Sequence, residues 1–158
     1  ELFIKDGRLY QRPVRELDAM RRNKVEYHNV TFSDVISLNG IRGRKVDMEL
    51  TLRPGEGEKL YQKFALRFAQ DEKYQTAISF RPHESVLKVD RKFSGSRRAI
   101  IHQRRSLVNS TNRFSVEVFV NDGEHVLTAT MYTDQSADGI SFFADGTVNM
   151  DVVKYDLV

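Results

Sequence analysis

Residues 113–128 constrain the fold more than any other stretch, because they contain a strand, a tight turn and the start of a returning strand. Apolar side chains alternate with the others along the first strand, which is the period of two expected when one sheet face is buried. The inward set is Phe114, Val116, Val118 and Val120. The Asn-Asp-Gly sequence at 121–123 then reverses the chain, since these residues tolerate the positive φ that hairpin turns need. The stretch predicts a β-hairpin, and packing alone explains every residue in it.

Further short strands, separated by turn signals, follow one another after residue 22. Alternating or apolar runs predict strands at 24–32, 45–52, 63–68, 76–80 and 86–89, and residues 100–108 are either strand-like or irregular. The runs 139–144 and 147–157 predict a hairpin across Asp145-Gly146, with a bulge or a change of partner near Val152. This pattern predicts an all-β fold, a two-sheet antiparallel β-sandwich of the concanavalin/lectin-like type.

The first 22 residues have a different character. Residues 2–4 and 8–10 predict two short strands around Asp6-Gly7, a strong hairpin signal. Residues 13–22 then place a proline in the first turn, apolar residues at helical spacing and bases in the last turn, which predicts a short helix. We therefore divide the chain into an N-terminal segment with a linker helix, 1–22, and a sandwich domain, 23–158.

Composition excludes several classes of partner and site. The 25 Lys and Arg residues are scattered among 22 Asp and Glu residues, for a net charge of +3, so no nucleic-acid partner is expected. No apolar run is long enough for a membrane span, and the absence of cysteine excludes disulfides and thiolate catalysis. We expect a cytoplasmic protein. Because the first residue is Glu rather than Met, we also expect a fragment or a processed product.

Sequence signatures of catalysis and cofactor binding are missing. The four histidines are far apart, and neither a zinc signature, a phosphate-binding loop, a dinucleotide fingerprint nor a Gly-x-Ser-x-Gly elbow occurs. No cofactor, metal or catalytic residue is therefore assigned. Glu117 with Asp122 or Glu124 is the carboxylate pair most worth considering, but outward carboxylates on a strand and its turn are usually solvated.

Two stretches resemble the invertase family, glycoside hydrolase family 32. GRLYQRPVREL at 7–17 is similar to the run that leads from the last propeller strand into a linker helix, and SVEVFVNDGEHVLT at 115–128 resembles a strand and turn of the C-terminal β-sandwich. Immediately before the second stretch, Asn112 and Phe114 replace an Asp and a Ser of the family pattern. A weaker third match covers 89–98, where a Leu-Asp-Arg-like step precedes a basic loop.

The resemblance implies a non-catalytic sandwich domain of a larger enzyme. The catalytic motifs of the family belong to an upstream β-propeller, and none of them occurs in this chain. Residues 1–22 would be the end of that propeller and the linker helix, and the parent would cleave β-fructofuranosides by a retaining two-carboxylate mechanism without metal. The domain would stabilise the propeller, its partner in the same parent chain, and support a homodimer. The expected interface residues are Tyr10, Arg12, Arg15 and Glu117.

Two alternatives stay open. A lectin-like module would recognise fructan or another glycan through aromatic rings near loops, and the candidates are Tyr61, Tyr74 and Tyr132. Half-exposed tyrosines at strand ends are common without any ligand, so these three residues do not favour carbohydrate binding by themselves. An independent enzyme is the third hypothesis. An exposed apolar strip near Leu2, Ile4 and Tyr10 would favour the interface, whereas clustered exposed tyrosines with amide and acid neighbours would favour the lectin.

Overall fold

Antiparallel strands make up most of the molecule, which is described by a computed structural model for residues 1–55, 60–95 and 114–158. The stretch 100–108 lies outside these ranges. The strands are β1 (Leu2–Lys5), β2 (Arg8–Gln11), β3 (Arg21–Ile36), β4 (Val46–Pro54), β5 (Lys63–Gln70), β6 (Gln75–Arg81), β7 (Val86–Phe93), β8 (Phe114–Val120), β9 (His125–Met131) and β10 (Gly139–Leu157). One short helix, α1 (Glu16–Met20), separates β2 from β3. The all-β prediction is confirmed.

The large sheet is organised around β10, which pairs with three other strands. One edge of β10 lies beside β3 from Phe142 to Leu157. The other edge pairs with β5 over residues 139–145 and then with β4 over residues 148–156. The sheet continues from β5 to β6 and β7, while β1–β2 and β8–β9 form separate hairpins. Because β10 exchanges β5 for β4 halfway along, it belongs to both halves of the sheet.

The predicted hairpin across Asp145-Gly146 is wrong, because β10 runs through this point without reversing. Gly146 has a φ of +92°, as a turn glycine would. However, the three residues between Ala144 and Val148 face a single residue of β3. An insertion of this kind bends a strand and increases its twist. Turn chemistry therefore identified the irregular site, but the continuous pairing with β3 decided that the strand bends.

The core contains side chains from both halves of the bent sheet. Phe142 from the first half of β10 and Val148, Met150 and Val152 from the second half are fully buried. Core-facing residues of β4 and β5 pack against the same cluster, and these include Met48, Leu50, Phe64 and Leu66. A single core shared by the β4 half and the β5–β6–β7 half is the arrangement of a β-sandwich.

Two asparagines produce bulges in β3. Asn23 and Asn29 have φ values of +49° and +54°, and at each of them two residues of β3 face one residue of β10. Asparagine tolerates this left-handed conformation better than most residues. One of these register shifts lies next to Val152, where the sequence predicts an irregularity. The extra residues lie on β3, since the pairing of β10 with β4 has no shift.

The N-terminal hairpin is confirmed, whereas the helix is shorter than predicted. β1 and β2 pair from Leu2 opposite Gln11 to Lys5 opposite Arg8. The helix ends at Met20 because Arg21 and the next residue pair with the end of β10, so sheet formation overrides the helical pattern at 21–22. The division of the chain at residue 22 stays a prediction.

Within the described ranges, no helix has the length and apolar character required to cross a membrane.

Arg44 holds the loop that precedes β10. Its guanidinium donates to the carbonyl oxygens of Asp134 and Ala137, both at 2.6 Å, and to the hydroxyl of Thr133 at 2.9 Å. Thr133 and Ala137 are fully buried. Burial lowers the pKa of Arg44 from its ordinary value, while the nearby carboxylates of Asp138 and Asp134 oppose this change. The planar fork of donors fits several oxygens at once, which an ammonium group does not match.

Replacing Arg44 by lysine is therefore expected to lower the free energy of unfolding by about 1 kcal/mol, since some of these hydrogen bonds are lost. The measurement is urea unfolding followed by circular dichroism. The matched control is Arg42→Lys, because Arg42 binds Asp138 at 2.8 Å from an exposed position and should change the stability by less than about 0.5 kcal/mol. Equal losses for the two variants would contradict a special role of Arg44.

Candidate interdomain interface

The N-terminal hairpin has two faces of different character. Leu2, Ile4 and Leu9 lie on one face with 69%, 76% and 57% exposure, and Ile4 is directly opposite Leu9. We call these three residues the apolar strip. On the other face, the rings of Phe3 and Tyr10 stack at 5.5 Å between centroids. Because its side chains are exposed, the apolar strip lacks a partner among the described residues. Adjacent exposed aliphatic side chains are typical of an interaction surface.

The predicted interface residues Tyr10, Arg12 and Arg15 lie close to this hairpin. Tyr10 is half-buried against Phe3, and the guanidinium of Arg12 lies over the same phenylalanine ring at 5.3 Å. Arg12 and Arg15 both donate to the carboxylate of Glu1, at 2.8 and 3.0 Å. The hydrogen bonds from Arg15 and Arg12 lower the pKa of Glu1. The structure thus brings three of the four predicted residues together, on the side of the hairpin that Phe3 and Tyr10 occupy.

Glu117 lies elsewhere, exposed on β8 opposite Thr128. It forms no hydrogen bond or ion pair with another described residue, and the contacts between the N-terminal hairpin and β8–β9 involve the turn rather than this side chain. Its assignment to an interface stays a prediction.

Among the described ranges, no group of three or more His, Asp or Glu residues is arranged to hold a metal ion.

The turn of the β8–β9 hairpin packs directly on β2. The amide N–H of Gln11 donates to the carbonyl oxygen of Gly123 at 3.0 Å, and Arg8 forms an ion pair with Glu124 at 2.6 Å. Gly123 is buried, and a Cβ atom on it would lie 1.6 Å from the carbonyl oxygen of Gln11. We call these four residues the hairpin junction. The glycine is therefore needed for close approach as well as for the turn.

Sequence reasoning found both hairpins but missed the contact between them. Asn121, Asp122 and Gly123 have φ values of +51°, +57° and +94°, as the turn prediction requires. The local pattern explained Gly123 completely, so nothing indicated a second role. The one available signal was that the two stretches that carry the family resemblance, 7–17 and 115–128, are the same two stretches that meet at the hairpin junction.

The two components of the hairpin junction should differ in their contribution to stability. Arg8→Ala is expected to lower the free energy of unfolding by less than about 0.5 kcal/mol, because exposed ion pairs are screened by solvent; the Arg8 side chain is 71% exposed. The measurement is urea unfolding at low and high salt. A salt-dependent loss well above this value would show that the ion pair, rather than backbone packing, holds the hairpin junction.

The three tyrosines proposed as sugar contacts have different environments. Tyr61 is only 5% exposed and belongs to the core, and burial raises its pKa. Its ring is therefore not available for stacking on a sugar, which corrects that part of the prediction. Tyr74 is half-buried with the Lys73 ammonium 4.7 Å from its ring centroid, and Tyr132 is half-buried beside Ser94. For these two residues, sugar contact stays a prediction.

Comparison with known families identifies a match over most of the chain. The model described as "Glycosyl hydrolases family 32 C terminal" matches residues 16–157. A sucrose-6-phosphate hydrolase of Staphylococcus xylosus is 29% identical over 167 aligned positions, covering 99% of this chain and 33% of that protein. A probable sucrose-6-phosphate hydrolase of Vibrio cholerae is 29% identical over 148 positions, covering 89% of this chain and 25% of that protein.

A solved structure shows the same fold in a longer protein. The sucrose-6-phosphate hydrolase from Lactobacillus gasseri superposes with a TM-score of 0.68 at 22% identity, covering 99% of this chain and 32% of that one. The chain therefore spans about a quarter to a third of the length of these relatives.

Proposed function

This chain belongs to the family of glycosyl hydrolase family 32 C-terminal domains, and from that premise we propose that it is the non-catalytic sandwich of a β-fructofuranosidase. The names of its relatives support a parent enzyme of the sucrose-6-phosphate hydrolase type. A retaining mechanism with two carboxylates would then be carried out by the larger part of the enzyme. A cytoplasmic location belongs to this proposal and is tested by fractionating the cells that make the enzyme.

The observation that carries the proposal is the apolar strip. Leu2, Ile4 and Leu9 are exposed side by side, on a hairpin that is joined to the sandwich through the hairpin junction and α1. A fully buried aliphatic side chain contributes about 1.5–3 kcal/mol relative to an exposed one. Covering the strip with the catalytic propeller would therefore stabilise the parent enzyme. In this arrangement, residues 1–22 belong to the end of the propeller and its linker helix.

The test compares the same substitution in two settings. Ile4→Ser with Leu9→Ser is expected to lower the Tm of the full-length enzyme by several degrees, because a buried contact is lost. In the present chain alone the same double change should leave Tm nearly unchanged, since both side chains are already exposed. Val35→Ser is the control, because Val35 is exposed on β3 and should have little effect in either setting.

Equal effects of the double change in the two settings would argue against a propeller contact at the apolar strip. Retained fructosidase activity in an enzyme that lacks residues 23–158 would show that the sandwich is dispensable for catalysis. Loss of activity without loss of folding would instead indicate that residues of this chain contribute to the reaction, which contradicts the non-catalytic assignment.

A homodimer is a second arrangement that the apolar strip favours, since a second copy would also remove these side chains from water. Sedimentation equilibrium of the full-length enzyme and of its Ile4→Ser, Leu9→Ser variant tests it. A wild-type dimer and a variant monomer would support dimerisation through the apolar strip.

Glycan binding is less well supported, because burial of Tyr61 removes one of the three proposed rings.

A further inference from the structure

The linker helix α1 has little intrinsic stability. It contains five residues, none of them buried, and the side chain of its N-cap residue, Arg15, makes no capping hydrogen bond to the helix backbone. Isolated helices of this length are unstable in water, because few hydrogen bonds offset the cost of forming the first turn. The position of α1 on the sandwich must therefore be set by contacts with other elements.

Arg21, the first residue of β3, links α1 to two other strands. Its guanidinium binds the carboxylates of Asp47 and Glu49 on β4 at 2.6 and 2.9 Å, and that of Asp18 on α1 at 3.3 Å. It also lies 4.7 Å from the ring centroid of Tyr155 on β10. The side chains of Arg21 and Asp47 are only 25% and 22% exposed, so solvent screens this ion pair less than a fully exposed one. We call these five residues the Arg21 cluster.

We propose that Arg21 is a positioning residue that fixes α1, and with it the N-terminal hairpin, in one orientation on the sandwich. Within the described residues, the Arg21 guanidinium bridges the carboxylate of Asp18 on α1 and the carboxylates of Asp47 and Glu49 on β4. Two further hydrogen bonds hold the last residues of α1: the Arg22 guanidinium donates to the carbonyl oxygen of Ala19 at 2.8 Å, and the N–H of Val158 donates to that of Met20 at 3.2 Å. The hairpin junction is a second attachment point of residues 1–20, through Arg8 and Gln11, which precede α1 in the chain.

The chemistry of the cluster requires arginine rather than any cation. Its five N–H donors lie in one plane, so that it can bind three carboxylates while its flat face packs on the Tyr155 ring. A lysine would reach one or two of these groups. Under the proposed function, the orientation of α1 matters because it would set the angle between propeller and sandwich. All five residues of the Arg21 cluster belong to this chain, so the cluster forms without the propeller.

Amide hydrogen exchange of residues 16–20 tests the assignment in the present chain. Arg21→Ala is expected to increase exchange of these amides by about two- to threefold, with Arg21→Lys intermediate, because the ion pair that reaches α1 involves Asp18, whose side chain is 66% exposed. The control is Arg53→Lys, since Arg53 pairs with Asp151 at 2.6 Å on the same sheet but makes no contact with α1. It should leave exchange at 16–20 unchanged.

The pair Asp47→Asn and Glu49→Gln provides a second variant with nearly the same shape as the native protein. It should reproduce the increase at 16–20, because the charges on β4 are removed while Arg21 remains. Unchanged exchange in both variants would overturn the proposal, and so would an equal increase in every strand. Because the test uses only this chain, its outcome is independent of whether the apolar strip meets a propeller.

Discussion

Replacing Gly123 by alanine is expected to destabilise the protein by about 2–3 kcal/mol, since it combines a strained backbone conformation with a clash. The φ of +94° already disfavours any residue with a Cβ atom. In addition, the new methyl group would lie 1.6 Å from the Gln11 carbonyl oxygen, which is backbone and cannot rotate away. The hairpin junction should therefore open, and the hydrogen bond from Gln11 to Gly123 should be lost.

Gly7→Ala is the matched control for this experiment. Gly7 has a φ of +74°, but no atom lies within 4 Å of the position its Cβ would take. It should therefore show the backbone cost of about 1 kcal/mol without the clash. Urea unfolding gives the two free energies, and amide exchange of Gln11 reports opening of the hairpin junction. Similar losses for both glycines, with Gln11 still protected, would show that the close approach of β2 is not important for stability.

Replacing Asp156 by alanine should have a comparably large effect, because it leaves a buried ammonium without its partner. Lys154 is only 4% exposed, and its Nζ donates to Oδ1 of Asp156. The Asp156 side chain is 35% exposed, so the expected cost is that of leaving a buried donor without its acceptor, about 1–3 kcal/mol. The side chain of Asn23 also donates to Asp156, at 3.0 Å, and would lose its acceptor.

The double change Asp156→Ala with Lys154→Met separates the unpaired charge from other effects. An apolar side chain at 154 should recover most of the lost stability, because a buried ion pair and a well-packed apolar replacement are often similar in free energy. The measurement is a double-mutant cycle by urea unfolding. If the double variant were no more stable than Asp156→Ala alone, the loss would not come from the unpaired lysine.

The same carboxylate makes a signed prediction about pH. Hydrogen bonds from Lys154 and then Asn23 lower the pKa of Asp156 below its ordinary value of 3.8. A depressed pKa in the folded state means that the contribution is fully present above the unfolded pKa and is lost as the pH falls through the folded one. Stability should therefore decline in acid below about pH 4, and the decline should be smaller for Asp156→Asn. An identical acid profile for both proteins would contradict this assignment.

The two hairpins and the sheet class were predictable because their signals are local. In β8–β9, alternation along the strand and three turn residues with positive φ act within about fifteen residues, and the structure follows them. The N-terminal hairpin follows Asp6-Gly7 in the same way. The stretches that revealed the family lie in these same hairpins, which explains why family and fold class could be inferred from the sequence.

Longer-range features could not be predicted from local patterns. Asp145-Gly146 has the composition of a turn, but whether such a site reverses or bends the chain depends on whether a neighbouring strand continues past it, as β3 does. Tyr61 has an ordinary loop context, and only the packing of the bent sheet buries it. The ion pairs of Arg21 with β4 join residues 26 and 28 positions apart, so their charges had no recognisable spacing.

The sequence by itself therefore determined the all-β class, the two hairpins with their turns at Asp6-Gly7 and Asn121-Asp122-Gly123, and the family, since backbone conformation and hydrophobic periodicity act over a few neighbouring residues. The tertiary structure decided the course of β10, the hairpin junction and the exposure of the apolar strip. These depend on residues far apart in the chain that meet only after the sheet has formed, as Gln11 and Gly123 do. Gly123 shows the difference most clearly, because its φ follows from its own turn while its close packing follows from β2.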